Sequence, residues 1–254
     1  MKIKILITFG IILLLTGCIQ NRGNLGEMKR SLNNKSHGYV VQKDFTNTAP
    51  TESIEKFEVR NGDCYKDSQG WNDCEQDRQR SELSERNKST ISGSEYWYGW
   101  SVYLPEDFVH LYPATVTLGQ FHQENTHPVF LFQLNENAYA VSELTKGAIF
   151  SEWQLANIDE MKGKWTKLEI HVKWSKNDDG FFKVWVNGKQ KVNYIGETMT
   201  AKKIYFKYGI YQRELAGYKF KGNYNDPIPT QIVYYSNVRR ANSREDLEAN
   251  NKEK

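Results

Sequence analysis

The sequence predicts an all-β fold, an antiparallel β-sandwich (jelly roll) with one concave sheet. Three observations predict it: apolar residues recur with a period of two, 18 glycines punctuate short runs, and the strand–helix alternation of a parallel sheet is missing. "WTKLEIHVKW" shows the period most clearly. Thr166, Leu168, Ile170, Val172 and Trp174 form a mostly apolar face, and Lys167, Glu169, His171 and Lys173 a charged one. In "FFKVWVNGKQKV", Asn187-Gly188 between strand-like runs signals a tight hairpin. "RQRSELSER", "EYWYGWSVYL", "TVTLGQFHQ", "VFLFQL", "GAIFSEW", "KIYFKYGIYQ" and "TQIVYYSNVRR" are further strands. Only "WQLANIDEMKG" and the C-terminal tail look helical. A chain of 254 residues suffices for one sizeable domain, expected over residues 39–241.

The N-terminus reads as an export signal over residues 1–17. "MKIK" is a basic start, "ILITFGIILLL" an apolar run of the right length, and "LTGC" resembles the bacterial lipoprotein box. That places a lipid on Cys18 and makes the chain an exported lipoprotein, held by that lipid at the outer membrane or cell surface, or in the periplasm. Residues 18–38 are polar and aperiodic, and are expected to be a tether. Residues 242–254 are expected to be a charged tail, frayed helix or disorder. The formal charge is +3, and Lys2 and Lys4 of the leader supply two of those charges. A near-neutral mature chain excludes a nucleic-acid footprint. A monomer is expected.

With Cys18 assigned to the lipid, Cys64 and Cys74 remain as an even pair. An exported protein permits a disulfide, and one closing so short a loop contributes on the order of 2–3 kcal/mol. Free thiols are the alternative, and a metal site lacks nearby histidine partners. Among the histidines, His171 reads as a solvated surface residue, His37 falls in the tether, and His110 and His127 fall in loops.

Three strands carry polar residues where a sandwich needs apolar ones. In "TVTLGQFHQ", Val116 and Leu118 share a face with Gln120 and His122. In "RQRSELSER", Arg80 and Glu82 share a face. In "KKIYFKYGIYQRE", Tyr205, Lys207, Gly209 and Tyr211 do. Taken singly, each is an ordinary solvated face; on one concave sheet they would gather Arg, Gln, His, Lys and Tyr. "RSEL", "QFH" and "YFKYGIYQ" resemble, in this chain order, the signature strands of jelly-roll polysaccharide lyases. They are similar to the alginate-lyase segments R-(S/T)-E-L, Q-(I/V)-H and Y-F-K-A-G-x-Y-x-Q, with Tyr208 where those enzymes have Ala. "YWYGWSVYLPEDF", "GKWTKLEIHVKWS", "DDGFFKVWVNGK" and "VYYSNVRRA" look more like the glucuronan lyase and heparin lyase I group. The resemblance spans roughly residues 50–241.

The resemblance implies cleavage of a uronic-acid polysaccharide by β-elimination, leaving 4,5-unsaturated ends. The C5 proton is weakly acidic, so the enzyme needs donors at the uronate carboxylate, a base at C5 and an acid at the departing O4. Arg80 and Gln120 suit the carboxylate. His122 suits the base, or a further neutralising contact. The resemblance implies Tyr211 as the acid and as a second candidate for the base, with Lys207 as the cation beside it. Lys207, Tyr205 and Glu82 are expected at the substrate, with Glu82 holding Arg80. Gly209 would clear space for a sugar. Arg239 and Asn237, sharing a face on the last strand, are candidates to extend the groove. Trp97, Trp100 and Tyr103 are candidates for stacking on sugars, with core packing the commoner role. The chemistry requires no cofactor. Relatives in the glucuronan and heparin lyase group can bind calcium, which makes the acidic "NGDCYKDSQGWNDCEQD" a calcium candidate, although its spacing fits no EF-hand. The competing classes are a non-catalytic glycan-binding jelly roll and a glycoside hydrolase. The hydrolase needs two carboxyl groups facing each other across a cleft.

Overall fold

The computed structural model describes residues 22–68, 70–222 and 226–249. The leader, Cys18 and the last five residues lie outside these. The described strands are β1 (Met28–Ser31), β2 (Tyr39–Lys43), β3 (Ser53–Val59), β4 (Arg78–Glu85), β5 (Glu95–Tyr103), β6 (Thr115–Gln123), β7 (Pro128–Leu134), β8 (Ala138–Glu143), β9 (Ser151–Asn157), β10 (Trp165–Lys173), β11 (Phe181–Val186), β12 (Lys189–Ile195), β13 (Ile204–Arg213) and β14 (Gln231–Ala241). The helices are α1 (Ile158–Met161), α2 (Leu215–Lys221) and α3 (Arg244–Ala249). The strands pair antiparallel in two seven-stranded sheets, β1-β4-β13-β6-β7-β8-β9 and β12-β11-β10-β5-β14-β3-β2. This is the expected sandwich.

The period of two sets what lies between the sheets. Leu168, Ile170 and Val172 of β10 are buried, and the rings of Phe121, Phe130, Phe132, Trp174, Phe182 and Phe206 fill the centre. Phe130 and Phe182 stack across the two sheets with centroids 3.8 Å apart. Each fully buried ring of this kind contributes about 1.5–3 kcal/mol. Asn187 and Gly188 both have positive φ, 48° and 79°, the backbone of the predicted two-residue hairpin turn.

Three expectations change, and the tail takes one of its two expected forms. The segment read as a tether folds onto the domain from residue 22. Leu25 is buried, β1 adds an edge strand to the first sheet, and Arg22 pairs with the buried Glu55. Its polar composition hid this because the chief anchor is a cation answering a buried carboxylate. "WQLANIDEMKG" begins in β9, with helix only in α1, where Asn157 caps the Asp159 amide. "GAIF" is loop, with Ile149 and Phe150 exposed. The tail is α3 as far as Ala249, with Leu247 buried against Gly99. Strands β2, β3 and β8 carry no motif that drew attention in the sequence.

Candidate active site

Strands β4, β13 and β6 lie side by side in the first sheet and bring the three polar rows together. Tyr211 pairs with Arg80, Lys207 with Gln120, and Tyr205 with His122. All six line one cleft of about 960 Å³. The phase of β6 differs from simple alternation. Val116 and Leu118 belong to the core, while Gln120 and His122 open onto the cleft. A register shift between Thr117 and Gly119 separates the two halves of the strand.

A buried charge network underlies the cleft. The Glu82 carboxylate, 1% exposed, accepts hydrogen bonds from Lys207 Nζ at 2.8 Å, Arg80 Nη1 at 3.1 Å and Gln120 Nε2 at 2.6 Å. Burial alone would raise the Glu82 carboxyl; Lys207 and Arg80 hold it below its ordinary range. Burial lowers Lys207, with Glu82 opposing. Arg80 also donates from Nε and Nη2 to the two oxygens of Asp73, at 2.8 and 2.7 Å. Such a bidentate pair fixes the guanidinium plane, which lies 3.9 Å from the Tyr211 ring centroid.

The phenol and the imidazole are each oriented by one neighbour. Arg78 Nη1 donates to the Tyr211 hydroxyl at 2.8 Å. The hydroxyl oxygen thus accepts on that side, and its own proton remains for another acceptor. Burial raises the Tyr211 phenol, against the opposing charges of Arg80, Arg78 and Arg213. His122 Nδ1 lies 2.7 Å from the Gln123 carbonyl oxygen. A carbonyl only accepts, so Nδ1 carries the proton and Nε2 keeps a lone pair. Burial first, then Lys207, pulls His122 down to about 4, which keeps it neutral near pH 7. The Tyr205 hydroxyl lies 3.2 Å from His122 Nδ1, and burial with Glu82 pushes its phenol up to about 12.

A family profile for polysaccharide lyases matches residues 20–239. The chain belongs to the polysaccharide lyase family. An endo-β-1,4-glucuronan lyase from the fungus Trichoderma reesei superposes with a TM-score of 0.63 at 17% identity, over 84% of this chain and 91% of that one. An alginate lyase of polysaccharide lyase family 7 does so at 0.58 and 16%, over 85% and 94%. An alginate lyase from Pseudomonas aeruginosa gives 0.52 and 15%, over 82% and 87%. At these identities the likeness concerns the fold. No curated protein matches by sequence.

Several expected members of the lyase site lie elsewhere or act differently. Arg239 and Asn237 sit on β14, in the other sheet, where Arg239 is buried, donates to Asn237 and faces Glu169. They do not extend the groove, because β14 belongs to the sheet opposite the one whose strands β4, β13 and β6 line the cleft. Lys207 is bound to Glu82, and the cations whose charges act most on Tyr211 are Arg80, Arg78 and Arg213. Gly209 answers the backbone: its φ is 132°, and a Cβ there would lie 2.3 Å from the Ser81 carbonyl oxygen of β4 and 2.8 Å from Phe57. Trp100 packs in the core, while Trp97 stacks on His171 at 4.2 Å, so neither meets the cleft.

The sequence reading gave no part in the cleft to Arg78 and Arg213, to Trp71 and Asp73 of the calcium-candidate segment, or to the loop histidine His127 that lines it. Cys64 and Cys74 are bonded, as expected, and their hairpin carries Trp71 to the cleft wall and Asp73 to Arg80. The same contacts bear on the calcium expectation. Asp73 is engaged by Arg80, and Asp63 by His37, Lys35 and the Arg60 amide, so these two carboxylates of the loop are already held. Among the described residues, no group of three or more His, Cys, Asp or Glu is arranged to hold a metal. His37, placed in the tether by sequence, instead contacts Asp63 of this loop at 2.7 Å.

Proposed function

We propose that this polysaccharide lyase cleaves a uronic-acid polymer by β-elimination. The observation that carries the reading is the convergence of Tyr211, His122 and Gln120 on one cleft over a charge-balanced floor. The uronate carboxylate meets the remaining amide hydrogen of Gln120 and the two N–H groups of Arg80 that Asp73 and Glu82 leave unused. These donors stabilise the charge that builds as C5 loses its proton. His122 Nε2 takes that proton. Tyr211 gives its proton to O4 as the C4–O4 bond breaks, and the electron pair from C5–H forms the C4=C5 double bond. The products are a shortened chain with a free O4 hydroxyl and a 4,5-unsaturated uronide. The two buried carboxylates under the cleft floor, Asp73 and Glu82, are both paired with cations, which disfavours a hydrolase reading.

Glucuronan-like polymers come first among substrates, followed by alginate and glycosaminoglycans. The "LTGC" motif supports export and lipidation at Cys18. Release of the protein from the membrane fraction by Cys18→Ser tests that placement.

The decisive experiment follows the ultraviolet absorbance of unsaturated uronides on a panel of uronate polymers. Wild type is expected to produce it on at least one polymer, and Tyr211→Phe to lose about 10²–10⁴-fold in rate with unchanged melting. His122→Asn is expected to lose a similar factor. Retention of most activity by His122→Asn, with Tyr211→Phe inactive, would move the base to Tyr211. No absorbance on any uronate polymer would sink the lyase chemistry proposed here.

A further inference from the structure

At one end of the cleft, beyond Tyr211, two like charges face each other. Arg78 of β4 and Arg213 of β13 are register partners, and both line the cleft. Like charges directly opposite on adjacent strands destabilise a sheet unless an anion lies between them. Among the described residues no carboxylate forms an ion pair with either, although Asp67 lines the same cleft, where it accepts from the Trp71 amide. Arg78 is held by the Tyr211 hydroxyl and lies 5.0 Å over the Trp71 ring. Arg213 donates to the Gln133 side chain at 3.2 Å and lies 5.8 Å from the Tyr211 ring centroid, and its Nε, buried, has no hydrogen-bond partner. Among the described residues, neither guanidinium is paired with a carboxylate. Arg80 and Lys207 differ, since Asp73 and Glu82 balance their charges. The cleft therefore has a neutralised floor near Gln120 and a net positive end at Arg78 and Arg213.

We propose that Arg78 and Arg213 form a two-guanidinium site for a second uronate carboxylate, that of the sugar next to the one cleaved. The proposal rests on the β-elimination reading above and adds a substrate requirement: the enzyme takes runs of adjacent uronates in preference to polymers that alternate uronate with a neutral sugar. Spacing supports it. Arg78 lies two residues beyond Arg80 on the same face of β4, roughly 7 Å along the strand, comparable with one sugar unit. Chemistry supports it too, because planar guanidinium forks suit carboxylates.

The test uses the full protein carrying Tyr211→Phe, which binds without turnover, and calorimetry with two oligosaccharides. One has adjacent uronates; the other alternates uronate and neutral sugar. Adding Arg213→Gln is expected to weaken the contiguous oligomer about tenfold or more, ~1.4 kcal/mol for one charge-assisted contact, and the alternating one by less than about threefold. Arg213→Lys restores part of the loss, as a point charge without the fork. Arg78→Gln serves as a second variant if Arg213→Gln melts early. Equal losses on both oligomers, or no loss on either, overturn the clamp while leaving the lyase site standing. Failure of the Tyr211→Phe protein to bind any uronate oligomer overturns the underlying reading, and the clamp with it.

Discussion

Tyr208 and Tyr211 stand on one strand, facing opposite sides of the sheet, and their phenols are set to opposite tasks. Tyr208 points between the sheets. It accepts from Arg22 and donates to Glu55 Oε2 at 2.8 Å, so its proton is held by a carboxylate that is itself fully buried. Burial and then Glu55 raise that phenol far above its ordinary value. Tyr211 points into the cleft and accepts from Arg78, with Arg80 against its ring. Burial raises it too, but the charges around it are mainly cations. A phenol beside a carboxylate is a structural donor. A phenol beside guanidinium groups keeps its proton available and can tolerate losing it. The partner, more than burial, decides which tyrosine can do chemistry.

Tyr211→Phe gives the largest break in this comparison, the loss of about 10²–10⁴-fold already stated. The next is Asp73→Asn. It leaves Tyr211 in place but removes one charge from the bidentate hold on Arg80. A displacement of the order of 1 Å at a catalytic group can cost about 10²-fold, so kcat is expected to fall by about 10–10²-fold. The Cys64→Ser/Cys74→Ser pair is expected to move kcat in the same direction by freeing the hairpin that carries Asp73. Steady-state kinetics beside a melting curve separates this from unfolding; full activity in folded Asp73→Asn would show that Arg80 orients itself.

Tyr208→Phe inverts the pattern. It removes one donor from Glu55, which keeps Tyr39 at 2.6 Å and Arg22. Stability is expected to drop by about 1–3 kcal/mol in chemical denaturation, with kcat near wild type. A large loss of kcat in a folded Tyr208→Phe protein would erase the distinction between the two faces.

The cleft's centre was legible in the sequence because it sits on strands. A period of two sorts Arg80, Glu82, Lys207 and Tyr211 onto faces without any knowledge of the fold, and the three motifs supply the chain order. What escaped depends on facts a period cannot carry. Asp73 reaches Arg80 only because the disulfide hairpin folds back on β4. Arg78 and Arg213 become a pair only through register, at the ends of motifs whose middles drew attention. The phase slip near Leu118 is a bulge, and strict alternation placed Val116 and Leu118 on the wrong side. At the fold level, β1 and Arg22 were hidden in polar chain that reads as linker. Their signal was the need of Glu55, one of two carboxylates in the β3 run "SIEKFEV", for a cation in a dry core.

The smallest expected effect sharpens the comparison through pH. His122 must be neutral to take a proton, and burial with Lys207 lowers it to about 4. The sign follows: kcat/KM holds as pH falls past the ordinary histidine range near 6.5 and drops only as pH passes through about 4. On the alkaline side Tyr211 must stay protonated, and because its phenol is raised, activity persists to above its ordinary value near 10. Substrate carboxyls also titrate at low pH, so the position of the acid limb alone does not assign it. Lys88 does. Its ammonium lies 4.5 Å from the Tyr205 ring centroid and adds a small downward push on His122. Lys88→Met lightens the cost of the imidazolium, so the acid limb should move upward by a fraction of a unit while the plateau keeps its height. A substrate carboxyl would not respond to that change. A limb that stays fixed in Lys88→Met therefore assigns it to the substrate and takes the general-base role away from His122.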